Sequence, residues 1–179
     1  MQHHGQRDDT ADQLVVGQAT TEDIPAVVAL YHESAAWQRA RGLDPGNPPF
    51  PMEQIVAMRV RRGIMWVGRL GGVVVGSCTI EWADPRIWPD GSDDAGYLHG
   101  LVVARAQAGR GIGRALLAWA ATYVAENGRV YLRLDCKADN PRLRDYYAQA
   151  GFVPAGEMTV PQYVAARFER RVAEPGDAA

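Results

Sequence analysis

Cysteine is scarce in this chain: Cys78 and Cys136 are the two present among 179 residues. Placed so far apart, they supply neither a disulfide framework nor a CxxC metal site, and no metal is expected. No charge of one sign dominates either. Nineteen Lys and Arg against 21 Asp and Glu leave a formal charge of −2, without the basic face of a nucleic-acid binder. The apolar run 116–125 is about half a membrane span and reads as one face of a helix. The N-terminus, Met1-Gln2-His3-His4-Gly5-Gln6-Arg7-Asp8-Asp9, has no apolar signal core, and its two histidines read as part of a polar leader. Internal repeats and low-complexity tracts are missing as well. These absences point to a cytoplasmic, single-domain protein with neither membrane nor nucleic-acid partner: 1–13 a leader, 14–172 the domain, 173–179 a tail.

What is present is a glycine-rich turn, Gly109-Arg110-Gly111-Ile112-Gly113-Arg114. Before it lies Tyr97-Leu98-His99-Gly100-Leu101-Val102-Val103, with the character of a buried strand. After it Ile112, Ala115, Leu116, Trp119 and Tyr123 recur at helical spacing, and Asn127-Gly128 supplies a stop. A strand, a glycine turn and a helix aim several free backbone N–H groups at one spot before a helix N-terminus. Its partial positive charge adds to them, so the spot favours phosphate. A nucleotide P-loop needs Lys and then Ser or Thr after the last glycine, and Arg114-Ala115 stand there instead. The G-x-G-x-G spacing also departs from the dinucleotide fingerprint.

Along the rest of the chain, 14–19 reads as a strand and Thr20-Thr21-Glu22-Asp23 as a helix start. Ile24, Val27, Val28, Tyr31 and Ala35 trace a helical stripe; a loop at 41–49 and a second helix at 52–62 follow. Segments 64–70 and 73–82 form a hairpin turned at Gly71-Gly72. The segment 83–95 is a loop. At 130–136 Val130, Leu132, Leu134 and Cys136 alternate with Tyr131, Arg133 and Asp135, a strand pattern. A helix at 140–150 opens on Asn140-Pro141 and closes at Gly151. Closing strands at 152–159 and 163–172 end the count, the second with Val164, Ala166, Phe168 and Val172 as its apolar face. The sum is an α/β fold, a mixed and mostly antiparallel sheet with helices on both faces.

Two of these segments resemble the GNAT superfamily of N-acetyltransferases. The family's pyrophosphate loop, Q/R-x-x-G-x-G/A, is similar to Ala108, Gly109, Arg110, Gly111, Ile112 and Gly113, with Ala108 standing where Gln or Arg is usual. The family element N-x-x-A-x-x-(apolar)-Y-x-x-x-G-F resembles the stretch from Asn140 to Phe152, with Leu143 at the Ala position. The resemblance implies acetyl-CoA as cosubstrate and an amine, on a small molecule or a peptide, as acceptor. It implies coenzyme contacts from Leu101, Val102, Val103, the loop 108–114 and Asn140. Leu101 and Val103 would act through backbone groups on a strand that parts from its neighbour. Gly100 inside that strand marks a bulge or a close ligand approach.

In the family the Tyr that falls on Tyr147 is the usual general acid. A phenol of reference pKa near ~10 can return a proton to a thiolate. The base is open. The position where some members carry Glu is Tyr97 here, a poor base near neutrality. His99 shares its strand face, and an imidazole titrates near ~6.5 in model peptides. Glu81, His32, Glu33, Asp135 and a water chain are alternatives. Between Glu81 and Asp94 the acids Glu81, Asp84, Asp90, Asp93 and Asp94, with Trp82 and Trp88 among them, suit a cationic amine. Tyr31, His32 and Trp37 on the first helix would wall the acceptor cleft. Cys136 lies on an apolar strand face, which favours direct transfer in a ternary complex over a covalent intermediate. A non-catalytic acyl-CoA-binding module, a different acyl group and a homodimer stay open.

Overall fold

The computed structural model describes residues 13–46, 48 and 50–172, so nearly all of the expected leader and the whole expected tail lie outside it. The elements in order are β1 (Val15–Gln18), α1 (Ile24–Arg39), α2 (Met52–Arg61), β2 (Met65–Leu70), β3 (Val73–Glu81), β4 (Ala95–Val103), α3 (Ile112–Glu126), β5 (Tyr131–Lys137), α4 (Pro141–Gln149), β6 (Val153–Val160) and β7 (Tyr163–Arg171). One seven-stranded sheet has the order β1-β2-β3-β4-β5-β7-β6. Every neighbouring pair is antiparallel except β4 and β5. This is the mixed, mostly antiparallel α/β sheet that the sequence implies.

Local chemistry sets the boundaries. The backbone N–H of Thr20 donates to the Asp23 carboxylate at 2.8 Å, which opens the first helical segment. Arg69 of β2 also pairs with that carboxylate at 2.6 Å, fastening α1 to the sheet. Burial acts to raise the Asp23 pKa, but the Thr20 amide and Arg69 outweigh it and hold the carboxyl below its usual range. The hairpin turn uses positive φ at both Gly71 and Gly72, +53° and +82°. The helix after the glycine turn starts at Ile112, because Gly109 and Gly111 hold φ of +80° and +82°, which no α-helix accommodates.

Two faces result. On one, α3 lays Leu117, Ala120 and Val124 against Ile80, Leu98, Leu132 and Leu134, and Tyr147 of α4 joins the same cluster. Removing each large aliphatic side chain from water contributes ~1.5–3 kcal/mol. On the other, Val27 and Val28 of α1 and Val56 of α2 cover Met65 and Val67, while Trp88 and Ile87 cover Ala95 and Tyr97. The alternation expected in 130–136 holds along β5. The apolar face expected for β7 needs one correction: Val164 is 39% exposed, whereas Ala165 is fully buried under the 82–94 loop. Among the described residues no helix is long and apolar enough to cross a membrane.

Candidate active site

A gap opens in the middle of the sheet. β4 and β5 share three registered pairs, Ala95 with Tyr131, Gly96 with Leu132 and Tyr97 with Arg133. Beyond them β5 follows β7 to Lys137 and β4 follows β3 to Val103. The facing edges of 98–103 and 134–137 therefore lack a ladder. A bulge in β4 bends the edge away. Against β3 the register steps from Ser77–Val102 to Thr79–His99, so β4 carries one residue more than its partner. Gly100 sits there with φ of +59°, and the Tyr31 hydroxyl of α1 donates to its carbonyl at 2.7 Å. A Cβ at this position would stand 2.5 Å from the Tyr31 oxygen, which explains the glycine. Leu101, Val102 and Val103 thus lie along the unpaired edge.

The glycine turn sits past the C-terminal end of that edge. Gly111 is the N-cap of α3, and its carbonyl receives the Ala115 N–H at 2.9 Å. The amides of Gly111, Ile112, Gly113 and Arg114 precede the first intrahelical donor, and among the described residues they have no hydrogen-bond partner. Among the described residues, no heavy atom beyond the chain neighbours lies within 4 Å of where a Cβ on Gly109 or Gly111 would be, so the space above the turn is open. Gly113 differs: a Cβ there would meet the Tyr146 hydroxyl at 2.5 Å. Ile112 is buried and anchors the helix start. The Arg110 side chain folds onto Gln107 at 2.6 Å, and Arg114 reaches Gln149 at 3.1 Å. Ala108 is exposed on the approach to the turn.

On the α1 face of the gap, His99 gathers carboxylates. Its Nε2 lies 3.7 Å from Glu81 and 3.8 Å from Asp84. Asp135 completes a group with Asp84 and His99 whose candidate ligand atoms lie within 4.8 Å of one another. These are also the residues that could hold a metal ion. Burial raises the Asp135 pKa, and the neighbouring Asp84 adds to the shift; His99 and a 3.1 Å hydrogen bond from the Tyr163 hydroxyl oppose it. Burial likewise pushes Tyr163 up to about 12. The acids expected to face an incoming amine divide here. Glu81 and Asp84 reach His99, Asp94 pairs with Arg133 at 3.3 Å, and Asp90 and Asp93 are exposed. Tyr97 is 2% exposed and takes no place in this group; its hydroxyl accepts from Arg133 at 3.2 Å.

On the opposite face, Tyr147 is 6% exposed and packs against Phe152, Phe168 and Cys136. Burial pushes its phenol well above the ordinary tyrosine range. Among the described residues its hydroxyl has no hydrogen-bond partner. Burial also pushes the Cys136 thiol up to about 11, which keeps it protonated and unreactive near neutrality. The Asn140 side chain is partly committed: its Oδ1 caps α4 by accepting the Leu143 N–H at 3.0 Å.

The structure therefore gathers the turn, the unpaired β4 edge and His99 along one gap, with Asn140 and Tyr147 on α4 beside it. Glu33 stands apart, accepting the Arg105 backbone N–H at 2.9 Å, and His32 is exposed on α1. Tyr163 escaped the sequence reading. Its contact with Asp135 spans β7 and β5, and no local pattern marks it.

The comparisons agree with this geometry. The model of the acetyltransferase (GNAT) family matches residues 27–152. The chain is 31% identical over 150 residues to the uncharacterised N-acetyltransferase YesJ of Bacillus subtilis, covering 79% of this chain and 83% of that protein. Among solved structures, a GNAT-family acetyltransferase of Listeria monocytogenes superposes with a TM-score of 0.73 at 22% identity, over 89% of this chain and 95% of that one. YncA of Salmonella typhimurium, solved with its cofactor acetyl-CoA, gives a TM-score of 0.66 at 17% identity, over 93% and 98% of the two chains. With a family model over most of its length and a relative above 30% identity, this chain belongs to the GNAT family of acetyl-CoA-dependent N-acetyltransferases.

Proposed function

We propose that the protein moves an acetyl group from acetyl-CoA to the amine of a small, cationic acceptor by direct attack in a ternary complex, in the cytoplasm. One observation carries the reading: the β4–β5 gap has a phosphate-ready helix terminus at one end and a His–carboxylate group on its wall. The pyrophosphate takes the amides of 111–114, and the pantetheine arm pairs with the free backbone edge of Leu101 to Val103. Asn140 offers its remaining amide N–H groups from α4.

The acceptor approaches from the face of Glu81, Asp84 and Asp135, whose field favours an ammonium. Only a neutral amine attacks, so His99 removes a proton and the same carboxylates then stabilise the imidazolium. As the N–C bond forms and the C–S bond breaks, charge develops on sulfur. Tyr147, from the other face, donates its proton there; its raised pKa keeps the phenol protonated until that moment, and as the nitrogen sheds its second proton to solvent in becoming the amide, Tyr147 regains one from solvent. The protonated, buried Cys136 takes no part.

Thiol release from acetyl-CoA, measured against a panel of amines, tests this. Amine-dependent release is expected, with Tyr147→Phe lowering kcat by roughly 10²–10⁴ while Tyr146→Phe does much less. Equal behaviour of the two variants would remove Tyr147 from the role. Absence of release with every amine would overturn the reading itself.

A further inference from the structure

Three arginines from three places in the chain converge on one indole. The guanidinium carbon of Arg105 lies 4.1 Å from the Trp37 ring centroid, that of Arg41 4.2 Å and that of Arg142 5.7 Å. Trp37 is near the end of α1 and Arg41 just beyond it; Arg105 follows β4, and Arg142 opens α4. Among the described residues none of the three pairs with a carboxylate. Glu33 is close by, yet it binds the backbone N–H of Arg105 and not its guanidinium. One ring attracts each cation, but three like charges so close together repel one another. Guanidinium N–H forks suit a planar oxyanion.

The location narrows which oxyanion. Arg105 and Arg142 stand on the two lips of the β4–β5 gap, beyond the ends of β4 and β5, and Trp37 bridges them. The pyrophosphate reading already has its own amides at 111–114. The cluster instead belongs to α1, the helix whose Tyr31 holds the Gly100 carbonyl beside His99. Six residues separate Tyr31 from Trp37, which is about 9 Å along a helix. A hollow of about 550 Å³ lies beside the same stretch of α1, lined by Tyr31, Ser34, Ala35 and Gln38 on the helix and by Phe50 and Met52 across from it; neither Trp37 nor His99 lines it. The gap thus has an acidic group at His99 and a basic cluster at Trp37, near the two ends of the Tyr31–Trp37 stretch of α1.

We propose that the acceptor is bipolar: its amine enters the His99 end while a carboxylate about 9 Å away is held by Arg105 and Arg142 against Trp37. The inference rests on the amine-acetylation reading above. Its test compares 6-aminohexanoate with 6-aminohexanamide, in wild type and in an Arg105→Gln/Arg142→Gln variant that keeps side-chain length. In wild type the acid is favoured in kcat/KM by about tenfold, the usual scale of a charge-assisted contact, and the variant brings the pair within about twofold. Calorimetric titration of the CoA-loaded protein with both compounds provides the same comparison without turnover. A wild type that treats acid and amide alike in both measurements overturns the proposal, whether or not amines are acetylated. A variant that loses affinity for CoA but not for dephospho-CoA also overturns it, because the cluster would then serve the coenzyme's 3′-phosphate. Acid-selective binding without any thiol release would keep this inference and discard the catalytic one.

Discussion

Gly111 is the position where fold and ligand make separable demands. Its φ of +82° costs a side chain roughly 1–2 kcal/mol, since L-residues avoid the left-handed region. Nothing lies within 4 Å of the added Cβ, so no packing penalty joins that strain. For a chain of this size the melting temperature of Gly111→Ala and Gly111→Asp alike should fall by roughly 2–8 °C. Coenzyme binding then separates the two. An Asp carboxylate at a separation of about 5 Å from a phosphate charge is repelled by about 1 kcal/mol in a water-like medium and about 3 kcal/mol at an effective dielectric of 20. Gly111→Asp should accordingly bind CoA about fivefold to 150-fold more weakly than Gly111→Ala, with the difference shrinking as salt rises. Calorimetric titration of wild type and both variants, alongside thermal unfolding of the unliganded proteins, measures each part. If the Asp and Ala variants bound CoA equally, no phosphate would sit at Gly111, and the helix-terminus argument would fail.

Gly100→Ala meets both a φ of +59° and the Tyr31 hydroxyl at 2.5 Å, so melting should fall by roughly 5–15 °C and activity should drop sharply. Adding Tyr31→Phe should recover the steric part of that loss and leave the φ part, which a double-mutant cycle measures. Asp135 is the opposite case. Its folded pKa is raised, so its contribution is fully present below the unfolded value of ~3.9 and is lost as pH rises through the folded one. Ionising the buried carboxylate as pH rises therefore costs stability. Asp135→Asn should melt at the same temperature or roughly 2–4 °C higher at pH 7, the gap closing toward acid, while kcat/KM for a cationic amine falls. A variant less stable than wild type at pH 7 would contradict the burial argument.

What could be read in the sequence was what local geometry writes there. The glycines at 109 and 111 announce positive φ before a helix, and the apolar alternation from Val130 to Cys136 records a strand with one buried face. Asn140-Pro141 and Gly151 mark the ends of α4 by their own capping chemistry. Gly100 was legible as a bulge, but its cause, the Tyr31 hydroxyl 69 residues away, was not. The same limit hid Tyr163 on Asp135 and the gathering of Arg105 and Arg142 on Trp37, since contacts between distant elements leave no spacing in the chain. Val164 was misplaced because only its end of that face is open: Ala166 and Phe168 stay buried, and the loop over Ala165 makes the other face dry as well.

The three-pair ladder between β4 and β5 is also a mechanical joint. Strands β1 to β4 form one plate and β5 to β7 another, riveted at 95–97 and 131–133 and strapped by α3, which rests on β3, β4 and β5. A crack that ends at a short weld concentrates strain at the weld. Any linear molecule that lends backbone-like donors and acceptors to the open edges shares that strain along its length, and the two plates then move as one. Backbone amides facing the crack along 98–103 should exchange with solvent quickly in the empty protein and slowly in the loaded one. With the pantetheine arm in the gap as proposed, the sheet would be stitched across its full width.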